Sequence, residues 1–254
     1  MIHCAGIAHQ YGVTDEAFNE INHLATLNLA IQARDAQVKK FIFFSSIKVN
    51  GDETAYDEIF SNESDLKPSN SYGQSKLMAE VGLTKIFDDK SHCQLVILRL
   101  PLIYGIDVKG NFLKLKRLVQ SKIPLPTAAL SENSRAVLSI VNLFELIKKC
   151  IETQKKQNMV LFVRDKWELS TRDILSEIAK SVEVNDRQFY IPQAIVHCLL
   201  SIFFDKTVSG PLLGSQKVCI EQTKTTVGWE PLQLTMSELL LKEQKYGAAD
   251  INEH

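Results

Sequence analysis

Residues 41–52 read FIFFSSIKVNGD and residues 68–80 read PSNSYGQSKLMAE, and these two stretches decide the fold. The first opens with four apolar residues in a row, which is typical of a strand buried on both faces of a parallel sheet. The second opens with a proline and polar residues that favour a helix start, and helical periodicity follows. The order strand, polar loop, helix predicts one unit of an α/β protein.

Three side chains in these stretches form a candidate catalytic group. Ser46 ends the predicted strand, and ligands of open α/β sheets bind outside the carboxyl ends of the strands. Tyr72 and Lys76 are four residues apart and therefore share one face of the predicted helix. The lysine ammonium and the positive end of the helix are both expected to lower the pKa of Tyr72, which would let it carry a proton near neutral pH. The plainer alternatives are that Ser46 is a turn residue and that the Tyr–Lys pair marks a solvated helix face.

The order of short motifs along the chain resembles one enzyme family. The motifs are SSIKVNG from residue 45, P-x-x-x-Y-G-x-S-K from residue 68 and LRLPLIYG from residue 98. They resemble extended short-chain dehydrogenase/reductases, and within these the NAD-dependent epimerase/dehydratase family that acts on nucleotide sugars. SSIKVNG and the C-terminal LLGSQKV and VGWEP are similar to its UDP-hexose and UDP-N-acetylhexosamine 4-epimerases and 4-ketoreductases. The resemblance covers nearly the whole chain.

The resemblance implies NAD as cofactor and a nucleotide-sugar 4-epimerase-like role in polysaccharide biosynthesis, with oxidation and reduction at C4 of a UDP-sugar. Tyr72 would take the proton from the sugar 4-hydroxyl, Ser46 would hydrogen-bond the same oxygen, and Lys76 would lower the tyrosine pKa and hold the nicotinamide ribose. The implied cofactor-binding residues are Cys4, Ala5, Gly6, Asn22, Tyr72, Lys76 and Pro101. The implied substrate-binding residues are Ser46, Asn111 and Arg135, the arginine as a clamp on the diphosphate.

The sequence also departs from the pattern of this family. It opens at residues 1–6 as the end of a buried strand, and none of its eleven glycines belongs to a G-x-x-G-x-x-G loop that would bind the NAD pyrophosphate. Val141 stands where the family has an aspartate, and Cys219, Glu221 and Gln222 replace its D-x-S-K motif. Two alternatives stay open beside the epimerase: a nucleotide-sugar 4-ketoreductase, and a catalytically inactive truncated paralogue.

The predicted fold class is α/β, with a partial doubly wound (Rossmann-like) parallel sheet and a smaller mixed C-terminal substrate domain. Residues 1–110 are predicted to form the C-terminal part of an NAD-binding domain, and residues 111–254 the nucleotide-sugar domain, with the chain crossing back to the sheet. The apolar spacing from Asp15 to Ala36 predicts one long helix, the crossover of a right-handed βαβ unit. The acidic, polar residues 52–67 predict a surface loop over the site, which could act as a lid.

Composition argues against several other classes of protein. The 254 residues carry a net charge of −1, so no nucleic-acid-binding surface is expected. The five cysteines are widely spaced and include no C-x-x-C pair, which is typical of reduced thiols in a cytoplasmic protein. The sequence has no signal peptide and no apolar run of about 18 residues or more, so no integral membrane segment is predicted.

The expected partners follow from the same observations. A UDP-sugar is the expected small-molecule partner. Family members pair through helices, and the apolar segment 191–204 could face such a partner, so a homodimer is left open. His3 and His9 lack a third ligand at suitable spacing, and no metal site is predicted.

Overall fold

The structure is a computed structural model that describes residues 1–8, 12–88, 91–105, 108, 110–192, 194–196 and 213–250, with only the backbone beyond residue 243. Its strands are β1 (Ile2–His3), β2 (Lys40–Ser46), β3 (Gln94–Leu100), β4 (Leu102–Tyr104), β5 (Val137–Ser139) and β6 (Met159–Phe162). The main sheet is parallel, in the order β1-β2-β3-β6, and β4 and β5 form a separate parallel pair. The predicted α/β class with a parallel sheet is confirmed.

The helices of the described residues are α1 (Asp15–Phe18), α2 (Ala25–Asp35), α3 (Ser71–Ile86), α4 (Asn111–Gln120), α5 (Ile140–Glu152), α6 (Thr171–Ser181), α7 (Glu221–Val227) and α8 (Met236–Asp250). None of them is both long enough and apolar enough to cross a membrane. A π-helical segment, Asn19–Leu24, joins α1 to α2. The predicted single helix is therefore helical throughout, but its middle is wider than an α-helix, and Asn22 is fully buried there.

The centre of the main sheet is covered on both faces, as its unbroken apolar run predicts. Phe41 and Phe43 of β2 pack against Leu83 of α3 on one face. Ile42, which points to the opposite face, packs in a cluster with Leu146 of α5. Because successive side chains of a strand point to opposite sides, a strand covered by helices on both sides must be apolar at every position.

A second layer is built around β4 and β5. Phe112 of α4, Ile178 of α6 and Leu239 of α8 share one apolar cluster with the side chains of this small sheet. After this layer the chain returns to the main sheet, where β6 pairs with β3. The proposed division of the chain at residue 110 stays a prediction.

The segment 52–67 is irregular and mostly exposed, as predicted for a surface loop, but two of its residues are held against the rest of the protein. Phe60 is only 2% exposed and lies in the same apolar cluster as β3. Thr54 N donates to Ser215 O at 2.7 Å, and Phe60 N donates to Lys217 O at 3.0 Å. The prediction was wrong for these residues, because backbone hydrogen bonds to a segment distant in sequence leave no periodic signal. Of the apolar segment 191–204, only residues 191, 192 and 194–196 are described.

A buried polar cluster lies between α3 and the ends of β2 and β3. Arg99 Nη2 lies 2.7 Å from Glu80 Oε2, and both side chains are less than a tenth exposed. The Ser45 hydroxyl donates to Glu80 Oε1 at 2.5 Å, and Arg99 Nη1 donates to Asn50 Oδ1 at 3.1 Å. The charges are thus paired and hydrogen-bonded, which is the condition for burying them. Sequence reasoning did not predict this cluster.

Replacing Arg99 by methionine should destabilise the protein far more than removing an exposed ion pair. The change leaves the Glu80 carboxylate buried without its cation, which costs about 3–5 kcal/mol in comparable cases. Arg34→Met is the matched control, because Arg34 pairs with Asp35 on the surface and such pairs contribute about 1 kcal/mol or less. Urea denaturation measures both free energies of unfolding. Equal losses in the two variants would contradict the structural role of the buried pair.

Candidate active site

The end of β2 and the start of α3 bring Ser46 and Tyr72 together. Asn70 caps α3, with its Oδ1 accepting a hydrogen bond from Gly73 N at 2.9 Å. A Cβ atom at Gly73 would lie 2.7 Å from the carbonyl oxygen of Lys48, so only glycine lets the first turn of α3 pack this closely on the chain after Ser46. Ser46 and Tyr72 both line a cavity beside this contact, and the Ser46 hydroxyl acts to lower the pKa of Tyr72.

Lys76 lies one turn further along α3 and is almost completely buried. Its Nζ donates to Phe44 O at 2.8 Å and lies 4.8 Å from the centre of the Phe43 ring. Burial lowers the pKa of Lys76 to about 8, and the nearby Glu80 and Cys4 act in the opposite direction. The lysine is therefore an ammonium close to its titration range at neutral pH.

The electrostatics of Tyr72 differ from the sequence-based expectation. Burial raises the pKa of Tyr72 above its ordinary value, and the hydrogen bond with Ser46 acts against this effect. The expected lowering of the Tyr72 pKa by Lys76 was wrong for this arrangement, because the ammonium is directed to the backbone of Phe44. Spacing on a helix places two residues on one face, but it does not determine where a long side chain points.

A cavity of about 530 Å³ opens beside these residues and is lined mostly by apolar atoms. Its volume is in the range of small-molecule and cofactor sites. Ala5 and Asn22 are not among the residues that line it. The predicted site residues that line it are Cys4, Gly6, Ser46, Tyr72, Lys76, Pro101, Asn111 and Arg135.

Asn22 braces the site from behind the cavity. Its Oδ1 accepts from Ile7 N at 2.8 Å, and its Nδ2 donates to Ile7 O at 2.9 Å and to Ser75 Oγ at 3.1 Å. These bonds join the chain after β1 to α3. A Cβ atom at Gly6 would lie 2.9 Å from Asn22 Oδ1, so a larger residue there would have to displace the Asn22 side chain. The role of Asn22 in cofactor binding stays a prediction.

The cavity lining also includes a buried cation. Burial lowers the pKa of Arg135 to about 10, and the carboxylates of Asp52 and Glu53 raise it in part. Arg135 Nη1 donates to Gly214 O at 3.1 Å. Asn111, the first residue of α4, lines the same cavity. A guanidinium and the first residue of a helix are both groups that suit an anion such as a phosphate.

Two further lining residues were missed by sequence reasoning. Lys48 and Gln216 both line the cavity, and Gln216 is only 3% exposed. Lys48 belongs to the motif SSIKVNG and Gln216 to the motif LLGSQKV. The first motif was used only to identify the serine, and the second only as part of the family resemblance.

Val141 stands where the family pattern has an aspartate, but a carboxylate from another part of the chain lies close by. Val141 packs against an apolar cluster, whereas the next residue, Asn142, donates from Nδ2 to Asp165 at 2.7 Å. Asp165 also accepts from Ser139 N at 3.0 Å and from the Tyr104 hydroxyl. The buried carboxylate that organises this part of the chain is therefore that of Asp165, which follows β6.

The histidines give no sign of a metal site. His3 Nε2 is hydrogen-bonded to Thr26 Oγ1 at 2.8 Å, and His9 lies outside the described residues. Within the part of the chain that the structure describes, no three metal-ligating side chains come together. His3 is a buried residue with a hydrogen-bond partner of its own.

Comparison with known proteins gives consistent results. The model of the NAD dependent epimerase/dehydratase family matches residues 1–154. A UDP-glucose 4-epimerase of Vibrio cholerae is 38% identical over 240 residues, which is 92% of this chain and 72% of that protein. The structure of MoeE5 with UDP-glucuronic acid and NAD superposes with a TM-score of 0.74 at 16% identity, covering 98% of this chain and 79% of that chain. The UDP-glucuronic acid 4-epimerase from Bacillus cereus with NAD gives a TM-score of 0.74 at 20% identity, covering 98% and 73%.

Replacing Lys76 by methionine should change how stability depends on pH. The pKa of Lys76 is about 8 in the folded protein and about 10.4 in an unfolded chain. Between these values the unfolded chain binds more protons, so folding becomes more favourable as the pH rises. From about pH 8 to about pH 10, the wild-type protein should gain about 2 kcal/mol relative to Lys76→Met in urea denaturation.

Lys85→Met is the matched control, because Lys85 is an exposed lysine of the same helix. Its difference from the wild-type protein should stay constant over the same pH range. A pH-independent difference for Lys76→Met would show that the ammonium is not buried as the structure has it.

Proposed function

The chain belongs to the NAD-dependent epimerase/dehydratase family, and on that premise we propose that it is a nucleotide-sugar 4-epimerase acting on a UDP-hexose or UDP-N-acetylhexosamine. The observation that carries this proposal is that Ser46, at the carboxyl end of β2, lines one cavity with Tyr72 and with Lys76, which lies one turn further along α3. The identity with a UDP-glucose 4-epimerase over most of both chains supports the choice of reaction.

The described residues fit the nicotinamide-ribose end of NAD. Cys4, Gly6 and Pro101 line the same cavity as Lys76. We propose that Tyr72 and Lys76 hold the ribose hydroxyls. When bound, NAD supplies a hydride acceptor and donor at C4 of the sugar.

Tyr72 is proposed as the acid and base of the reaction. It would take the proton of the sugar 4-hydroxyl as C4 is oxidised and return it to the 4-keto oxygen as C4 is reduced on the opposite face. Ser46, which lines the cavity together with Tyr72, would donate to the same sugar oxygen. Burial raises the pKa of Tyr72, and the Ser46 hydroxyl, which acts to lower it, would support the phenolate form.

The other end of the substrate would lie against Arg135 and Asn111. The guanidinium is buried, and its Nη1 makes a hydrogen bond to Gly214 O. A fixed planar set of N–H donors suits a diphosphate. Ser46, Tyr72 and Arg135 line one continuous cavity, so a UDP-sugar could place its sugar at the first two while its diphosphate reaches the third.

We also propose that the protein works in the cytoplasm. Cys4, Cys93, Cys150 and Cys219 are free thiols in the described residues. Free thiols are typical of proteins in a reducing compartment.

The proposal is tested by incubating the protein with NAD and UDP-glucose, or UDP-N-acetylglucosamine, and following the sugar by proton NMR. We expect conversion to the C4 epimer up to equilibrium without net consumption of NAD. Tyr72→Phe removes the proton carrier and should lower kcat by about 10²- to 10⁴-fold. Tyr56→Phe is the control, because Tyr56 is 89% exposed and should leave kcat unchanged.

Other outcomes would reject the proposal. Reduction of a UDP-4-keto sugar by NADH or NADPH, with no interconversion of epimers, would indicate a 4-ketoreductase. Failure of a folded protein to convert any UDP-sugar would indicate a catalytically inactive paralogue. Full activity of Tyr72→Phe would remove Tyr72 from the mechanism.

A further inference from the structure

The two side chains that handle the proton belong to different parts of the chain. Ser46 ends β2, and Tyr72 lies in the first turn of α3. No single helix or strand of the described residues contains both, and the connection between them holds a 3-10 turn, Ile47–Val49, and isolated bridges to residues 215 and 218. Contacts between the turn that follows Ser46 and the start of α3 therefore contribute to the alignment of the two hydroxyl groups.

Asp52 makes those contacts. Its Oδ1 lies 3.0 Å from Lys48 Nζ, on the turn that follows Ser46. Asn70 Nδ2 donates to the same oxygen at 3.2 Å, and the Ser69 hydroxyl donates to Asp52 Oδ2. Asn70 is the residue that caps α3 through its bond with Gly73 N. One carboxylate thus holds both the serine turn and the cap of the helix that carries Tyr72.

The backbone at Asp52 is itself fixed in place. Gly51 has a φ of 151°, in the region that favours glycine. The buried Gln216 side chain donates from Nε2 to Asp52 O at 3.3 Å, with a longer contact of 3.5 Å to Gly51 O. Asp52 is therefore held through its backbone as well as its side chain. It can thus fix the turn that follows Ser46 relative to the start of α3.

The charge on Asp52 fits this arrangement. Burial alone would raise the pKa of Asp52, but the hydrogen bond from Ser69 and the charge and hydrogen bonds of Lys48 and Asn70 outweigh it, so the pKa is lowered. The carboxylate is therefore ionised at neutral pH. The side chain is 40% exposed, and a single ion pair at that exposure contributes little. Its effect comes from three donors meeting at one group.

We propose that Asp52 is a positioning residue of the active site: by holding Lys48, Ser69 and Asn70 together, it keeps the Tyr72 hydroxyl in hydrogen-bonding reach of Ser46. This inference deepens the proposed function and rests on it for its effect on turnover. The effect of Ser46 on the Tyr72 pKa can be measured without turnover, so the two claims can be tested separately.

The first readout is the titration of Tyr72 in protein labelled with ¹³C at tyrosine Cζ, with the resonance assigned by Tyr72→Phe. In Asp52→Ala the Tyr72 pKa should rise by about half a pH unit or more, because the bond from Ser46 that favours the phenolate is lost. A purely electrostatic role would lower the pKa instead, since removing a negative charge favours the phenolate. Asp65→Ala is the control, because Asp65 forms an exposed ion pair with Lys67.

A double-mutant cycle isolates the route of the effect. Ser46→Ala should raise the Tyr72 pKa by itself, and adding Asp52→Ala should produce no further rise, because the same hydrogen bond cannot be lost twice. An unchanged or lowered pKa in Asp52→Ala, or an equal additional rise in the Ser46→Ala background, would overturn the proposal.

The second readout is kinetic. With NAD and a UDP-hexose, Asp52→Ala should lower kcat about 10- to 100-fold and leave KM within about twofold, because misalignment affects the proton transfer more than binding. Asp52→Asn keeps one oxygen acceptor for Ser69 and Asn70 and should retain an intermediate kcat. A raised KM with unchanged kcat would overturn the positioning role. Absence of turnover in the wild-type protein would contradict the proposed function, and the Tyr72 titration would still decide the role of Asp52.

Discussion

The buried ion pair between Glu80 and Arg99 is the interaction on which the geometry of the site depends. Glu80 follows Tyr72 and Lys76 at four-residue intervals on one face of α3. Its carboxylate is bound to Arg99 of β3 at 2.7 Å and to Ser45 of β2 at 2.5 Å. Separating two charges at that depth is costly, so the pair fixes the helix against the carboxyl ends of both central strands. The helix face that carries the tyrosine and the lysine is oriented by this contact.

Close backbone approaches then complete the alignment. Gly73 lets the first turn of α3 lie against the carbonyl of Lys48, and Gly6 lets the chain after β1 lie against Asn22 and Lys76. The contact at Gly73 excludes even a methyl group, because a Cβ atom there would lie 2.7 Å from a backbone oxygen. The polar groups involved are hydrogen-bonded to protein, as in the three bonds of Asn22, so the site is built before any ligand contributes to it. Such prior organisation reduces the reorganisation needed in a reaction.

The sequence predicted what depends on local pattern. The apolar run at Phe41 and the helix start before Tyr72 indicated β2 and α3, and the i, i+4 spacing put Tyr72 and Lys76 on one face. Arg135 was found through the family resemblance, since one arginine in a polar segment has no pattern of its own. The Glu80–Arg99 pair, the attachment of Phe60 to the C-terminal segment and the direction of the Lys76 side chain were not predicted. Each depends on residues far apart in sequence, and periodicity carries no information about them.

The most direct test of the central claim, that Ser46 and Tyr72 support reversible oxidation at C4, is to follow UDP-glucose labelled with deuterium at C4. A hydrogen that leaves carbon as hydride and returns within one enclosed site stays with the sugar, whereas one that leaves as a proton exchanges with water. We predict that the UDP-galactose formed in ordinary water, with NAD present, keeps its deuterium at C4. Loss of the label to solvent would contradict the account.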